Sequence, residues 1–241
     1  LSEHFDTSEV QASVKNQFPG AGFTLLEAVT EGQACTCLAA LNELPADKPL
    51  TITACDHGVI YEPEQFTALM NNPDVDIVVW VTKGHPGAIK HPHMYGWVKT
   101  LGDQVTGVSV KEPLRDPVNN PIIIGTFTFK RAEIFRAAAQ KLIERDGRIN
   151  GEFFVDSCLE DAIALGYRAR VLVVDHYLCW GTPNDLKTFD YWQSCFHKWS
   201  GHPYKWENDR WRMEIRGDTI PSWSNHSPTY PAFPKPSSAL P

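Results

Sequence analysis

The chain has 241 residues, 42% of them hydrophobic and 21% charged, with 16 Gly and 18 Pro, which fits one globular domain or a domain with a tail and excludes disordered, collagenous and disulfide-scaffold classes. Its longest apolar stretches, Ile77 to Val81 and Val171 to Val174, fall far below the roughly 18 residues of a membrane helix. Lys and Arg number 22 against 29 Asp and Glu, a net charge of -7, so no general basic field is available to attract a phosphate backbone and nucleic acid is not an expected partner.

Along the chain, short β-branched runs alternate with helical periodicity, the pattern of an α/β fold. Phe23 to Val29 reads as a strand and Gln33 to Leu44 as a helix closed by Pro45. Leu50 to Cys55 is a near-continuous apolar strand, followed after a turn by a short helix that starts at Pro63, a favoured first helical position. Ile77 to Val81, bounded by Asn-Asn-Pro and Lys-Gly, is a further buried strand, and a parallel sheet covered on both faces is implied. Gly96 to Leu101 and Val105 to Val110 flank Gly102-Asp103-Gln104 as a hairpin would. Pro121 to Phe129 is strand-like, Arg131 to Arg145 is an amphipathic helix ended by Asp146-Gly147, Ser157 to Leu165 is a short helix stopped by Gly166, and Ala169 to Val174 is a strong strand. A helix from about Asn184 to Trp199 completes a domain over 1–200. An aromatic-rich extension follows over 201–228, with Trp206, Trp211 and Trp223, then a Pro- and Ser-rich tail over 229–241 that reads as flexible. The extension either packs its aromatics on the domain or offers a partner surface.

Six cysteines show no CxxC spacing and read as reduced, buried thiols. No signal peptide opens the chain, so a soluble cytoplasmic protein with no membrane partner is expected. His91-Pro92-His93 reads as a surface loop rather than a metal pair, and no nucleophile-elbow serine is present.

Three segments carry chemistry, each at the carboxyl end of a strand or opening a helix, where open α/β sheets bind ligands. In Thr30-Glu31-Gly32-Gln33-Ala34 a glycine lets the backbone approach a planar ring at a helix N-terminus, although a plain helix opening with an early acid explains it equally. In Cys55-Asp56-His57-Gly58 a carboxylate leaves the end of an apolar strand, placed either to hold a hard cation such as Mg²⁺ or simply to form a turn. In Trp180-Gly181-Thr182-Pro183-Asn184-Asp185-Leu186 a strand, a turn and a helix follow one another, and capping by Thr182 with Pro183 accounts for much of the pattern.

Taken in order, Thr30 to Ala34, the strand ending at Asp56, Val110-Lys111-Glu112-Pro113, Gly125-Thr126-Phe127-Thr128-Phe129 and Trp180-Gly181-Thr182-Pro183 with Asp185-Leu186 resemble the sugar-phosphate nucleotidyltransferases, the NDP-sugar pyrophosphorylases, over Phe18 to Trp199. The resemblance implies a Rossmann-like α/β fold with a mixed, mostly parallel sheet flanked by helices. It also implies transfer of a nucleotidyl group from a nucleoside triphosphate to a sugar 1-phosphate or similar phosphorylated small molecule, with Mg²⁺. Homo-oligomers fit this class. By position, Glu31, Gly32, Gln33 and Ala34 would line the nucleotide, and Asp56 would hold the metal. Gly96, Lys111, Glu112, Thr126, Gly181 and Thr182 would surround the sugar phosphate, with Asp56 and Lys111 carrying the chemistry.

Three features depart from the family pattern. Its opening Gly-rich loop, which cradles the triphosphate, is absent, so Leu1-Ser2-Glu3-His4 resembles a point past the first strands and the 241 residues alone are expected to lack pyrophosphorylase activity. Lys111-Glu112-Pro113 stands where Glu-Lys-Pro is common; if both lie on a strand only one faces the cleft, and Lys111 is the expected one. Cys179 occupies the place of a second metal-binding Asp, leaving Asp175, Asp156 or Glu152 as substitutes. Two alternatives stand beside the transferase: a non-catalytic homologue that binds a nucleotide-sugar or a partner subunit, and a glycosyltransferase of similar fold. An edge exposed at Phe23 to Val29 and Leu50 to Cys55 would in either case need a cover.

Overall fold

The computed structural model describes residues 9–198; the aromatic extension and the tail lie outside them. The chain divides into a body that ends at Gly181 and a second that begins at Thr182.

The first body contains helices α1 (Val10–Gln17), α2 (Gln33–Ala40), α3 (Pro63–Asn71), α4 (Pro86–Lys90), α5 (Ala132–Glu144) and α6 (Cys158–Ala164). Its strands are β1 (Leu50–Thr53), β2 (His57–Ile60), β3 (Ile77–Thr82), β4 (Gly96–Leu101), β5 (Gln104–Val110), β6 (Ile122–Phe129), β7 (Ala169–Val173) and β8 (His176–Cys179). Six strands form one sheet in the order β1-β6-β3-β7-β5-β4, while β2 and β8 make a separate two-stranded ribbon.

All six residues of β3 are buried, and their side chains alternate between two layers as strand geometry requires. Ile77, Val79 and Val81 face Phe127, Phe129, Ile134, Phe135 and Leu159. Val78 and Trp80 face Ile124, Leu172 and the α3 residues Phe66, Leu69 and Met70. Burial on both faces is why this strand reads as an unbroken apolar run. On the first face α5 presents Ala132, Ile134, Phe135, Ala138, Ala139 and Leu142, the three-and-four spacing of an amphipathic helix. It stops where Asp146 turns to φ 50° and the Gly147 amide bonds the Leu142 carbonyl at 2.9 Å.

The sheet is mixed, as the resemblance implies, and β1, β3, β4 and β7 share one direction against β5 and β6. Its ladders differ from the parallel sheet expected from the apolar runs: β3 with β7 is the parallel pairing, and β6 runs antiparallel between β1 and β3. Continuous apolar sequence reports burial on two faces, which β6 achieves in the antiparallel sense.

Phe23 to Val29 forms no strand; Leu25 is 51% and Val29 83% exposed. Strand propensity is realised through cross-strand neighbours, and no described strand pairs with this segment. Lys111 and Glu112 do not alternate on a strand either, because β5 ends at Val110 and Lys111 turns into the left-handed region at φ 62°. Of the six thiols Cys158 is buried, Cys55 is exposed and the others are intermediate, so small-hydrophobe behaviour describes one of them. The ribbon strand β2 replaces the simple turn read at His57-Gly58, and α1 and α4 add helices that the periodicity does not signal.

In the second body, Thr182 precedes α7 (Pro183–Lys198). Its hydroxyl accepts from the Asp185 amide at 3.2 Å, while its own amide donates to Asp185 Oδ2 at 3.1 Å. This is a reciprocal capping box.

Candidate functional site

A cleft of about 590 Å³ opens at the carboxyl end of β1, walled by Gly32, Gln33, Asp56, Gly125, Glu152 and Asp156 among others. Volumes of this order hold small organic ligands. Three loops meet there, and each is shaped by a residue that a generic side chain could not replace.

The first is the turn Glu31-Gly32-Gln33. Gly32 has φ 133°, and a Cβ on it would stand 2.5 Å from the Phe153 nitrogen and 2.6 Å from its carbonyl oxygen. The backbone therefore closes on residue 153 from both sides: the Phe153 amide donates to Glu31 O at 2.9 Å and the Ala34 amide to Phe153 O at 3.0 Å. Thr30 Oγ1 adds a bond to Gly32 O at 2.9 Å. Gln33, the first residue of α2, is left exposed at the cleft mouth.

The second is Ala54-Cys55-Asp56. The Ala54 amide donates to Gly125 O at 3.0 Å, extending the β1 to β6 pairing to the cleft floor. Asp56 is exposed. Its carbonyl accepts from the Trp180 amide at 2.8 Å, and a Cβ on Gly181 would sit 3.1 Å from Asp56 Oδ2. Asp56 and Gly181 are thus brought together, with no side chain at 181 to cover the carboxylate. His57, next in sequence, places Nε2 2.9 Å from Thr126 Oγ1. Burial pushes its pKa down, with the Asp56 charge opposing.

The third is the stretch from Glu152 to Asp156. The Asp156 carboxylate lies against the backbone of Gly96, in the space a Cβ there would need. Burial raises its pKa to about 6, partly offset by the Lys111 charge. An acid held this way is the kind of group that functional clefts collect.

Lys111 does not line the cleft surface; its Nζ donates to Met94 O at 2.6 Å and sits 5.6 Å above the Phe154 ring. Glu112 lines a different cavity of about 560 Å³, together with Lys99, Arg145, Arg148, Ser157 and Glu160. Gly125 and Phe127 form the cleft wall on β6, and the intervening Thr126 bonds Thr53 Oγ1 at 3.0 Å as well as His57. Ala34 is fully buried behind Gln33. Thr182 belongs to the second body. Asp175 is exposed at the end of β7, its amide bonded to Ile60 O at 2.9 Å.

Glu152 and Asp156 enter the sequence argument as substitutes for one metal ligand, yet both line the cleft. Arg148 does not enter it at all. Its partner Glu31 is 117 positions away, beyond any spacing pattern, and Arg148 follows directly on Asp146-Gly147, which read as a helix stop.

As for a metal, Asp56, Glu152 and Asp156 supply hard oxygen donors to one cleft, which suits Mg²⁺. Among the described residues no three His, Cys, Asp or Glu are close enough to cage an ion. Mg²⁺ ordinarily takes one or two carboxylates and completes its shell with water and phosphate oxygens, so an Asp56-centred site fits the ion.

No family model and no curated protein sequence matches the chain. Solved structures do. The nucleoside-diphosphate-sugar pyrophosphorylase from Vibrio cholerae RC9 superposes with a TM-score of 0.59 at 18% identity, covering 77% of this chain and 76% of that one. The inositol-1-phosphate CTP transferase from T. maritima gives 0.55 at 14% identity over 76% and 69%. A UDP-glucose pyrophosphorylase complexed with UDP-glucose gives 0.53 at 15% identity over 78% and 73%. The chain has the Rossmann-like fold shared by NDP-sugar pyrophosphorylases and related nucleotidyltransferases.

Proposed function

We propose that the Asp56 cleft binds a nucleoside triphosphate and a sugar 1-phosphate or similar phosphorylated small molecule, and that the domain transfers the nucleotidyl group between them where a Gly-rich loop, absent from these 241 residues, cradles the triphosphate. The observation that carries this reading is the convergence, in one cleft at a strand's carboxyl end, of a side-chain-free turn at a helix N-terminus, an uncovered carboxylate at Asp56 and the acids Glu152 and Asp156. Gly32 and Gln33 offer a flat backbone surface and an amide for a base. Glu152 and Asp156 offer acceptors for sugar hydroxyls. Asp56 would hold Mg²⁺, which supplies charge neutralisation at the phosphate oxygens. An oxygen of the sugar phosphate attacks the α-phosphorus, the bond to the bridging oxygen breaks, and pyrophosphate leaves with the electron pair. Such transfer requires positioning and charge compensation rather than a protein nucleophile.

A second reading, a nucleotide-sugar-binding domain without turnover, is favoured by Lys111, whose ammonium is already held by the Met94 carbonyl, and by Cys179 in the place of a second acid. Titration calorimetry with each of the four ribonucleoside triphosphates, UDP-glucose and Mg²⁺ tests the shared core of both readings. Binding of at least one of them, weakened tenfold or more by Asp56→Asn, is expected; no binding overturns both. Pyrophosphate release from the bound triphosphate and a sugar 1-phosphate then separates transferase from binder.

A further inference from the structure

We propose that Arg148 is a positioning residue that locks the Glu31-Gly32-Gln33 turn to the loop 146–153 and so fixes the spacing of two walls of the Asp56 cleft. The inference deepens the reading of that cleft as a nucleotide site and rests on it for its functional consequence.

The guanidinium uses three nitrogens on three partners. Nη2 donates to Glu31 Oε1 at 2.8 Å, Nε to Asp146 Oδ1 at 2.7 Å and Nη1 to Gly151 O at 3.2 Å. Its central carbon lies 4.1 Å from the centroid of the Phe153 ring. A lone surface ion pair contributes little, because the freedom lost by two long side chains offsets the attraction. Here one planar fork serves four neighbours at once, and the Arg148 side chain is 32% exposed, so a single rotamer satisfies all of them.

The setting explains why such a clamp matters. Loop 146–153 is irregular, with positive φ at Asp146, Asn150 and Gly151, and it carries Glu152 into the cleft. On the facing wall, Glu31 is 65% and Val29 83% exposed, so apolar burial anchors that turn only at its exit, through Ala34. Its hold consists of the two backbone bonds to Phe153 and of Arg148, which grips Glu31 and covers the ring of Phe153 in one contact set. Removing the guanidinium frees both walls together and leaves the distant β3 core untouched.

Amide hydrogen exchange on the whole protein, with nucleotide affinity measured in parallel, tests this. In Arg148→Ala, exchange over 29–34 and 149–153 is expected to accelerate at least tenfold, with Ile77–Thr82 unchanged and the Kd of the nucleoside triphosphate or UDP-glucose that the unsubstituted protein binds raised about tenfold. Arg148→Lys should behave the same way, since an ammonium cannot make the fork, and Glu31→Gln should accelerate the same segments by less. Unchanged exchange over 29–34, acceleration spread equally into Ile77–Thr82, faster exchange with unaltered affinity, or full rescue by lysine overturns the proposal. If the unsubstituted protein binds neither a triphosphate nor UDP-glucose, the cleft reading fails, while the exchange pattern still decides whether Arg148 holds the turn.

Discussion

Strand β3 and the turn at Glu31 to Gln33 represent two ways of holding a backbone in place. Every residue of β3 is buried between two apolar layers, and its geometry follows from side-chain volume on both faces. The turn is mostly exposed and owes its shape to a glycine at φ 133°, two backbone hydrogen bonds and one arginine. Packing density fixes the first and stereochemistry the second. The core should therefore lose stability steeply when volume is removed, and the cleft should lose function well before stability.

The largest expected effect breaks the core side of that contrast. Phe135, fully buried on α5 and 5.3 Å from the Phe129 ring centroid, cannot be truncated without leaving a cavity. Phe135→Ala should cost about 3 to 5 kcal/mol, read from the urea midpoint at constant slope. A cost below about 1 kcal/mol would mean that this layer is loosely packed.

Gly32→Ala tests the other side. The new methyl would collide with the Phe153 backbone, and the left-handed conformation adds strain; the combined cost is about 2 to 3 kcal/mol. Because the turn can detach while the sheet stays intact, urea unfolding should report less than that full cost. Calorimetry should show nucleotide binding weakened tenfold or more. Equal losses of stability and binding would show the turn to be part of the core.

The same contrast explains what the sequence conveyed. Burial on two faces is written as consecutive residue types, so Ile77 to Val81 and the α5 face from Ala132 to Leu142 are legible from periodicity. The turn at Gly32 and the carboxylate at Asp56 are legible because each lies beside a strand or helix boundary. Phe23 to Val29 misleads, because a strand's existence depends on its neighbour as much as on its own residues. Lys111 misleads for a related reason: a left-handed turn at φ 62° is carried by a lysine, a residue type that gives no sign of one. Arg148 and Glu31 meet only through the tertiary fold, so nothing local could announce their bond.

Asp156 sharpens the comparison through pH. Its carboxyl is pushed up to about 6 by burial against β4, whereas in the unfolded chain an aspartate titrates near 4. The folded state holds the proton to the higher pH, so protonation favours folding. The contribution of Asp156 to stability is fully present below about pH 4, is lost as pH rises from about 4 to 6 and is constant above that, opposite in sign to those of Asp76 and His57, whose pKa values are held down. Asp156 is partly exposed, which limits the loss to about 1 to 2 kcal/mol. Urea midpoints taken across this range in EDTA should show the unsubstituted protein losing stability relative to Asp156→Asn as pH rises. A difference between the two proteins that stays constant from about pH 4 to 6 would show that Asp156 does not titrate there.

The smallest effect belongs to the second body, where neither core volume nor a strained turn is at stake. Thr182 accepts the Asp185 amide and donates its hydroxyl to Asp185 Oδ2 at 2.7 Å, while its own amide is satisfied by the same carboxylate. Replacing it with alanine leaves the Asp185 amide to water and leaves the carboxylate only the backbone amide of residue 182, a loss of about 1 kcal/mol for a helix start. Pro183 at the first turn has no amide to lose, so the damage stops at the two bonds of the hydroxyl. Thr182→Ser keeps the hydroxyl and should retain most of the stability. Helix fraying, read from amide exchange over α7, should therefore be least in the unsubstituted protein, slightly greater in Thr182→Ser and greatest in Thr182→Ala. If the alanine and serine variants fray alike, the cap is not what starts this helix, and Pro183 with its preset φ is the element that does.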